Sequence, residues 1–265
     1  MRPSRKKIIT QHFNKADHYD SASYLQRESA HHLALLINGQ SADHKPHSIL
    51  EIGCGTGHLS QKLIKLYPES SFILSDLAPQ MLQRAECKIK QEEDLSLKIK
   101  FHLMDGEKLD PPPPSKEKFD LIASNLCIQW FTDRPAALKR LSELLSPSGL
   151  LIMSTIAQGS FKEWQESCTD ANAACGIPDY PSLAVLENDW PGDGVGKWTL
   201  CTIREPVPSA LAFLRNLKHI GASLPHPEHK PVSITALQRA MTLFDRNHTE
   251  ITYEIAFGVF RKDRL

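Results

Sequence analysis

The sequence predicts an α/β fold: a mostly parallel sheet covered by helices on both faces. Three observations carry that expectation. Apolar strand-like runs alternate with helix-period segments from Ile49 to Ile156, a pattern that favours βαβ units. A glycine-rich turn follows the first of those strands, at the edge where open parallel sheets bind ligands. The chain has 265 residues, 41% of them hydrophobic, enough to bury one large core.

The elements follow in order. The segment from Gln11 to Ile37 reads as helices packed over the core. Ser48-Ile-Leu-Glu-Ile52 is a short apolar strand running into glycines. From His58 to Tyr67, Leu59, Leu63, Ile64 and Tyr67 recur at helical spacing, and Pro68 ends the helix. Phe72 to Ser75 is a second strand, closed by Asp76. Pro79 opens a helix through Lys90. Ile99 to Met104 and Phe119 to Ser124 are the third and fourth strands, separated by a stiff Pro111 to Pro114 loop. Arg134 to Leu145 is a helix, Ser146-Pro-Ser-Gly149 a turn, and Leu150 to Ile156 the fifth strand. Beyond it, Phe161 to Cys175 looks helical. Gly176 to Gly196, rich in Pro, Gly and Asp, reads as loop. Trp198 to Arg204 is a strand, Ser209 to Ile220 a helix ended by Gly221, Thr235 to Phe244 another helix, and Thr252 to Phe260 a final alternating strand.

Composition narrows the function. Basic and acidic residues balance at 31 each, whereas nucleic-acid enzymes usually carry a basic excess. No stretch is apolar enough to span a bilayer, and Met1 to Lys7 is charged without a following apolar run, so it reads as a solvated tail rather than a secretory signal. The six cysteines form no CxxC pair, and no His/Cys cluster has zinc-ligand spacing. They read as reduced thiols of a cytoplasmic protein with no metal.

Glu51-Ile-Gly-Cys-Gly-Thr-Gly57 lies between a strand and a helix. Gly53, Gly55 and Gly57 let the backbone approach a ligand, and the helix N-terminus offers free N–H groups to an anion. The dinucleotide fingerprint GxGxxG would need glycine at position 58, which is His58. The pattern is E-x-G-x-G-x-G instead, with Glu51 as its acid. Asp76, at the end of the second strand, can accept both hydroxyls of a ribose; it can equally cap the helix at Pro79. Asp105 can accept from an adenine amine or simply close a turn. Asn125 falls at the carboxyl-end crevice, where it can meet cofactor or substrate.

These residues resemble the class I, Rossmann-like S-adenosylmethionine-dependent methyltransferases. The resemblance implies a seven-stranded sheet with an antiparallel last strand, plus N-terminal helices and a helical insertion. It further implies one domain: an N-terminal helical lid over 1–47, a cofactor-binding half over 48–156 and a substrate-side half over 157–265. A narrower resemblance covers nearly the whole chain. Phe13-Asn-Lys-Ala-Asp-His-Tyr-Asp20 with Leu25-Gln26-Arg27, Ser124-Asn-Leu-Cys-Ile-Gln-Trp130, Leu214-Arg-Asn-Leu-Lys-His-Ile-Gly-Ala222, and Thr252-Tyr253 with Gly258-Val259 are similar to the malonyl-acyl-carrier-protein O-methyltransferases of biotin synthesis. The family's reaction methylates a free malonyl carboxylate on acyl carrier protein. A carboxylate, with a pKa of roughly 4, is already ionised at neutral pH, so no catalytic acid or base is expected. The resemblance favours a cation at Lys218, with Arg215 one turn away on the same face; Tyr19 and Gln26 would close over the cofactor, and Trp130 would be substrate wall or core. Two other readings share these residues: a methyltransferase of another small molecule, and a methyltransferase-like assembly factor. His58 argues against a nicotinamide dehydrogenase.

Overall fold

The computed structural model describes residues 4–42, 45–92, 98–114, 118–222 and 232–264. Its strands are β1 (Ser48–Ile52), β2 (Ser71–Asp76), β3 (Ile99–Leu103), β4 (Phe119–Ser124), β5 (Leu145–Ile156), β6 (Gly194–Pro206) and β7 (Glu250–Lys262). They form one seven-stranded sheet in the order β3-β2-β1-β4-β5-β7-β6. β1 to β5 pair in parallel and β7 runs antiparallel, as expected. β1 and β4 read as continuous apolar runs because central parallel strands are covered on both faces; Ile49, Leu50, Leu121 and Ile122 are fully buried.

The helices are α1 (Arg5–Asn14), α2 (Tyr19–Ala22), α3 (Tyr24–Gln40), α4 (His58–Leu66), α5 (Pro79–Glu92), α6 (Arg134–Leu144), α7 (Lys162–Asp170), α8 (Leu183–Asn188), α9 (Ala210–His219) and α10 (Ile234–Asn247). Their starts follow sequence signals. Asp133 caps α6 by accepting from Ala136 N, and Ser209 and Ser233 do the same for α9 and α10 through Ala212 N and Ala236 N.

The chain divides into two compact units. The first comprises Met1–Leu25, Ile156–Ser182 and Cys201–Ile255. Its core is aromatic: Phe213 and Phe244 stack with centroids 6.4 Å apart, and Trp164 lies 6.0 Å and 6.3 Å from them. The second comprises Gln26–Thr155, Leu183–Leu200 and Ala256–Leu265. There the faces of α4 and α5 bury Leu59, Leu63, Ile64, Met81, Ala85 and Ile89.

Four expectations are corrected. The tail through Lys7 is not a tail: Arg5 to Lys7 form the first turn of α1, capped by Ser4 Oγ accepting from Lys7 N; residues 1–3 lie outside the described residues. Ser146 to Gly149 does not separate helix from strand but bulges within β5. Phe119 pairs with Leu145 and Leu121 with Leu150, so β5 advances five residues where β4 advances two. Ser148 has a left-handed φ of 62°, and Ser146 Oγ donates to Phe119 O and Asp120 Oδ1. The helix expected over 161–175 stops at Asp170, because the chain reverses at Asn172, which has φ 49°.

The loop expected over 176–196 contains α8 and the start of β6. Tertiary bonds order it: Trp198 donates from Nε1 to Leu186 O and from its backbone N to Glu187 Oε1, and Arg134 pairs with Asp189 at 2.8 Å. Trp190 stacks between Trp198 and Phe260, with centroids 4.9 Å and 5.5 Å away. Glycines admit these rings. A Cβ at Gly258 would lie 2.6–2.7 Å from Trp198. Gly258→Ala is therefore expected to lower the melting temperature, at a cost of about 1–3 kcal/mol for overpacking. Gly39→Ala, exposed in α3 with nothing within 4 Å of the added carbon, should leave it unchanged or raise it by about 0.5–1 kcal/mol of stability. Parallel thermal melts of the two variants check the contrast.

Candidate functional site

The strand order reverses direction between β1 and β4, and their carboxyl ends open the crevice where such sheets take ligands. The loop after β1 crosses that point. Gly53, Gly55 and Gly57 have φ of 68°, 56° and 91°, left-handed values that side chains rarely adopt. At Gly53 the space is missing as well: a Cβ there would lie 2.7 Å from Cys127 Cβ, in the loop after β4. The two loops thus touch at the switch point. Cys54 N donates to Ser75 O, and Gly57 N to Cys54 O, which fixes the loop to the end of β2 and turns it into α4.

Asp76 sits at the end of β2. Its Oδ2 accepts from Gly55 N at 2.9 Å and its Oδ1 from Ala78 N at 2.8 Å. It therefore shapes the entry to α5, as foreseen, and also grips the glycine loop, which was not foreseen. Each oxygen keeps acceptor capacity. Burial pushes its carboxyl above the ordinary range, against the pull of the Ala78, Gly55 and Leu77 backbone N–H groups.

Glu51, in β1 beneath the loop, is 1% exposed. Its Oε2 accepts from Ser60 Oγ at 2.7 Å. Burial pushes its carboxyl up to about 8; the Ser60 hydrogen bond opposes this, and the Asp76 charge adds to it. At neutral pH Glu51 is a neutral acid. Asp105 is half-buried, and its Oδ1 accepts from Glu107 N in the turn that closes back on Asp110.

Asn125, after β4, anchors a polar network. Its Oδ1 accepts from Ser29 Oγ and Ser154 Oγ, each at 2.8 Å, and its Nδ2 donates to Gln26 O at 3.0 Å. Both lone pairs of Oδ1 are filled, and one Nδ2 hydrogen remains. The network fixes the start of α3, which carries Gln26. The Gln26 Oε1 is buried with no hydrogen-bond partner among the described residues, an acceptor waiting for a donor. Trp130 is half-buried in the short 3-10 turn Ile128–Trp130.

Tyr19, Arg215 and Lys218 belong to the first unit. Tyr19 is 9% exposed, its ring 6.4 Å from Phe13, and α2 packs on α9. Arg215 and Lys218 are both exposed on α9. The His18 and His219 rings lie 5.1 Å apart beside them.

Sequence reasoning missed Ser29, Ser154 and Glu107. Glu107 is 5% exposed, and its Oε1 accepts from Thr132 N and Asp133 N, bracing the start of α6. A buried glutamate in a polar stretch carries no periodic signal. Neither does a serine whose partner is 96 or 125 positions away.

A family model described as a methyltransferase domain matches residues 43–198. The chain is 33% identical to a malonyl-[acyl-carrier protein] O-methyltransferase of Magnetococcus marinus, over 98% of this chain and 94% of that protein. It is 37% identical to the biotin biosynthesis bifunctional protein BioCD of Bordetella avium, over 94% of this chain and 51% of that longer protein. Among solved structures, the YcgJ protein from Bacillus subtilis superposes with a TM-score of 0.60 over 88% of this chain and 99% of that one, at 14% identity; this likeness concerns the fold.

The Glu51 environment sets a pH dependence. Its carboxyl moves from an ordinary 4.5 to about 8 on folding. Above about pH 4.5 the unfolded chain releases this proton while the folded chain keeps it until about pH 8. Stability therefore falls as pH rises through that window and levels off beyond it. Glu51→Gln, which cannot ionise, should flatten the slope in the ligand-free protein, with a gain on the order of a few kcal/mol at pH 8 and little below pH 4.5. Denaturant melts across pH 4–9 measure it; equal slopes in both proteins would remove Glu51 as the cause.

Proposed function

Since the chain belongs to the family of malonyl-[acyl-carrier protein] O-methyltransferases, we propose that its own residues divide the methylation of a malonyl carboxylate on acyl carrier protein as follows. The enzyme uses S-adenosylmethionine, and its product is the methyl ester that enters biotin synthesis. The cofactor supplies a methyl group on a positively charged sulfur. The observation that carries the reading is the bond from Gly55 N to Asp76 Oδ2, which joins the glycine loop to the acid at the end of β2 in one rigid acceptor surface.

The residues present fit the cofactor. Gly53, Gly55, Gly57 and Asp105 give it a close backbone and an acceptor, and Asp76 offers both oxygens to ribose hydroxyls. The unpartnered Gln26 Oε1 suits a donor such as an ammonium group, and Glu51 can meet a cation by giving up its proton. Asn125 acts mainly through Gln26 and α3. Lys218, with Arg215 second, holds the malonyl carboxylate by one charge-assisted hydrogen bond; Tyr19 and Trp130 complete the substrate contacts. The substrate oxygen arrives ionised, so no side chain has to remove a proton. What remains is alignment, and orientation of this kind supplies much of the rate in bimolecular reactions. In this division 48–156 serves the cofactor, 157–265 the substrate, and 1–47 covers them.

Among the described residues no helix is long and apolar enough to cross a membrane. Together with six free cysteines, this supports a cytoplasmic location.

Two measurements test the assignment. Asp76→Ala should weaken S-adenosylhomocysteine binding by about 1–3 kcal/mol, the penalty for unpaired hydroxyls. Unchanged affinity by calorimetry would take Asp76 out of the site, and a wild-type chain that binds no cofactor would speak for an assembly factor. Lys218→Ala should slow turnover of malonyl-acyl carrier protein about tenfold, as expected for roughly 1.4 kcal/mol, with cofactor affinity intact. The cation assignment fails if Lys218→Ala and Arg215→Ala both keep wild-type rates, or if an uncharged acyl thioester is methylated as readily.

A further inference from the structure

The reversal that cuts α7 short brings two cysteines together in the first unit. Trp164 and Cys168 are four apart on α7 and so share one face of it. After the helix the chain turns back. Ala173 N donates to Cys168 O at 2.8 Å, and Arg239 Nη2 on α10 donates to Ala171 O at 3.2 Å. Trp164 Nε1 then donates to Cys175 O at 3.3 Å, which seats Cys175 over the face that carries Cys168. The two thiols are free and hydrogen-bonded to each other.

Their surroundings differ. Cys168 is 1% exposed and lies in the last turn of a helix, where the backbone carbonyls disfavour an anion. Cys175 is partly exposed, and its sulfur takes hydrogen bonds from the Cys168 thiol and from the Ile177 backbone N–H. Both bonds stabilise a thiolate at Cys175 and hold its thiol below the ordinary range, while Cys168 is pushed up. A partly exposed thiol held below the ordinary range beside a buried thiol pushed above it is the arrangement of an attacking and a resolving cysteine.

We propose that Cys168 and Cys175 form a peroxide-sensitive dithiol, in which Cys175 is oxidised first and Cys168 closes an intrachain disulfide. The Cys175 thiolate attacks one oxygen of hydrogen peroxide. An S–O bond forms, the O–O bond breaks, and the departing hydroxide takes a proton from solvent to become water. The Cys168 sulfur then attacks the resulting sulfenic acid. An S–S bond forms and the S–O bond breaks, and the second hydroxide leaves as water with the Cys168 proton. Two thiols and one peroxide yield one disulfide and two waters. This site is independent of the methyl-transfer assignment, and so is its test.

Trypsin gives a clean reading, because residues 163–197 contain no internal Lys or Arg and hold these two cysteines and no others. The reduced full-length protein is treated with hydrogen peroxide, its remaining thiols are alkylated, and the digest is weighed without reduction. The 163–197 peptide should lose two hydrogens and carry no alkyl group, and dithiothreitol should reverse this. Cys175→Ser should abolish the change. Cys168→Ser should leave a sulfenic acid on Cys175 that dimedone traps. The proposal is overturned if Cys168 and Cys175 remain alkylatable in the wild type while other cysteines oxidise, or if the disulfide joins a different pair such as Cys54 and Cys127.

Discussion

The missing side chain of Gly53 sets how closely the loops after β1 and β4 approach, and the rest of the candidate site is arranged around that approach. With a carbon there, the first loop would be driven into Cys127. Without it, the backbone runs over the carboxyl ends of the two central strands and turns into α4 at Gly57, whose left-handed φ starts the helix. The bond from Gly55 N to Asp76 then ties this loop to β2. Three neighbouring strands, β2, β1 and β4, are thus locked to one another at the same end. Moving any one of them would break either a backbone hydrogen bond or a van der Waals contact.

A second lock is polar. Asn125 fills both lone pairs of its carbonyl oxygen with serine hydroxyls from α3 and β5 and spends a hydrogen on Gln26 O. In a buried setting each of these bonds is costly to leave unmade. Ser29 and Ser154 are fully buried, so the network also fixes the rotation of α3. That rotation determines where Gln26 points. The unsatisfied Oε1 of Gln26 is the exception in a well-satisfied neighbourhood, and exceptions of this kind call for a reason.

The sequence disclosed whatever depends on neighbours in the chain. β1, the glycine loop and Asp76 were visible because strand, turn and cap chemistry act over a few residues. What stayed hidden depends on distant partners. Gly176 to Gly196 has the composition of a loop, yet Trp198 and Arg134 fold α8 out of it. Ser146 to Gly149 has turn chemistry, but β4 lies alongside and takes it into the sheet as a bulge. Asn125 was legible as a polar residue at the right edge; that its carbonyl faces protein was not, since its serine partners lie 96 and 29 positions away.

The charges follow the same logic of position. The Asp76 charge adds to the rise at Glu51, and three backbone N–H groups favour ionisation at Asp76 while Glu51 has one hydroxyl. Both carboxyls are thus held by fixed protein donors. The proposed substrate cations are arranged oppositely. Lys218 and Arg215 stand on an exposed helix face, where hydration weakens an ion pair. For a carboxyl methylation that weakness is useful: a tightly paired oxygen is a poor nucleophile, whereas a hydrated ammonium orients it and leaves its electrons available. Once the ester forms, the charge that held the substrate is gone. Attraction then ends with the reaction itself, and release of the product needs no further group.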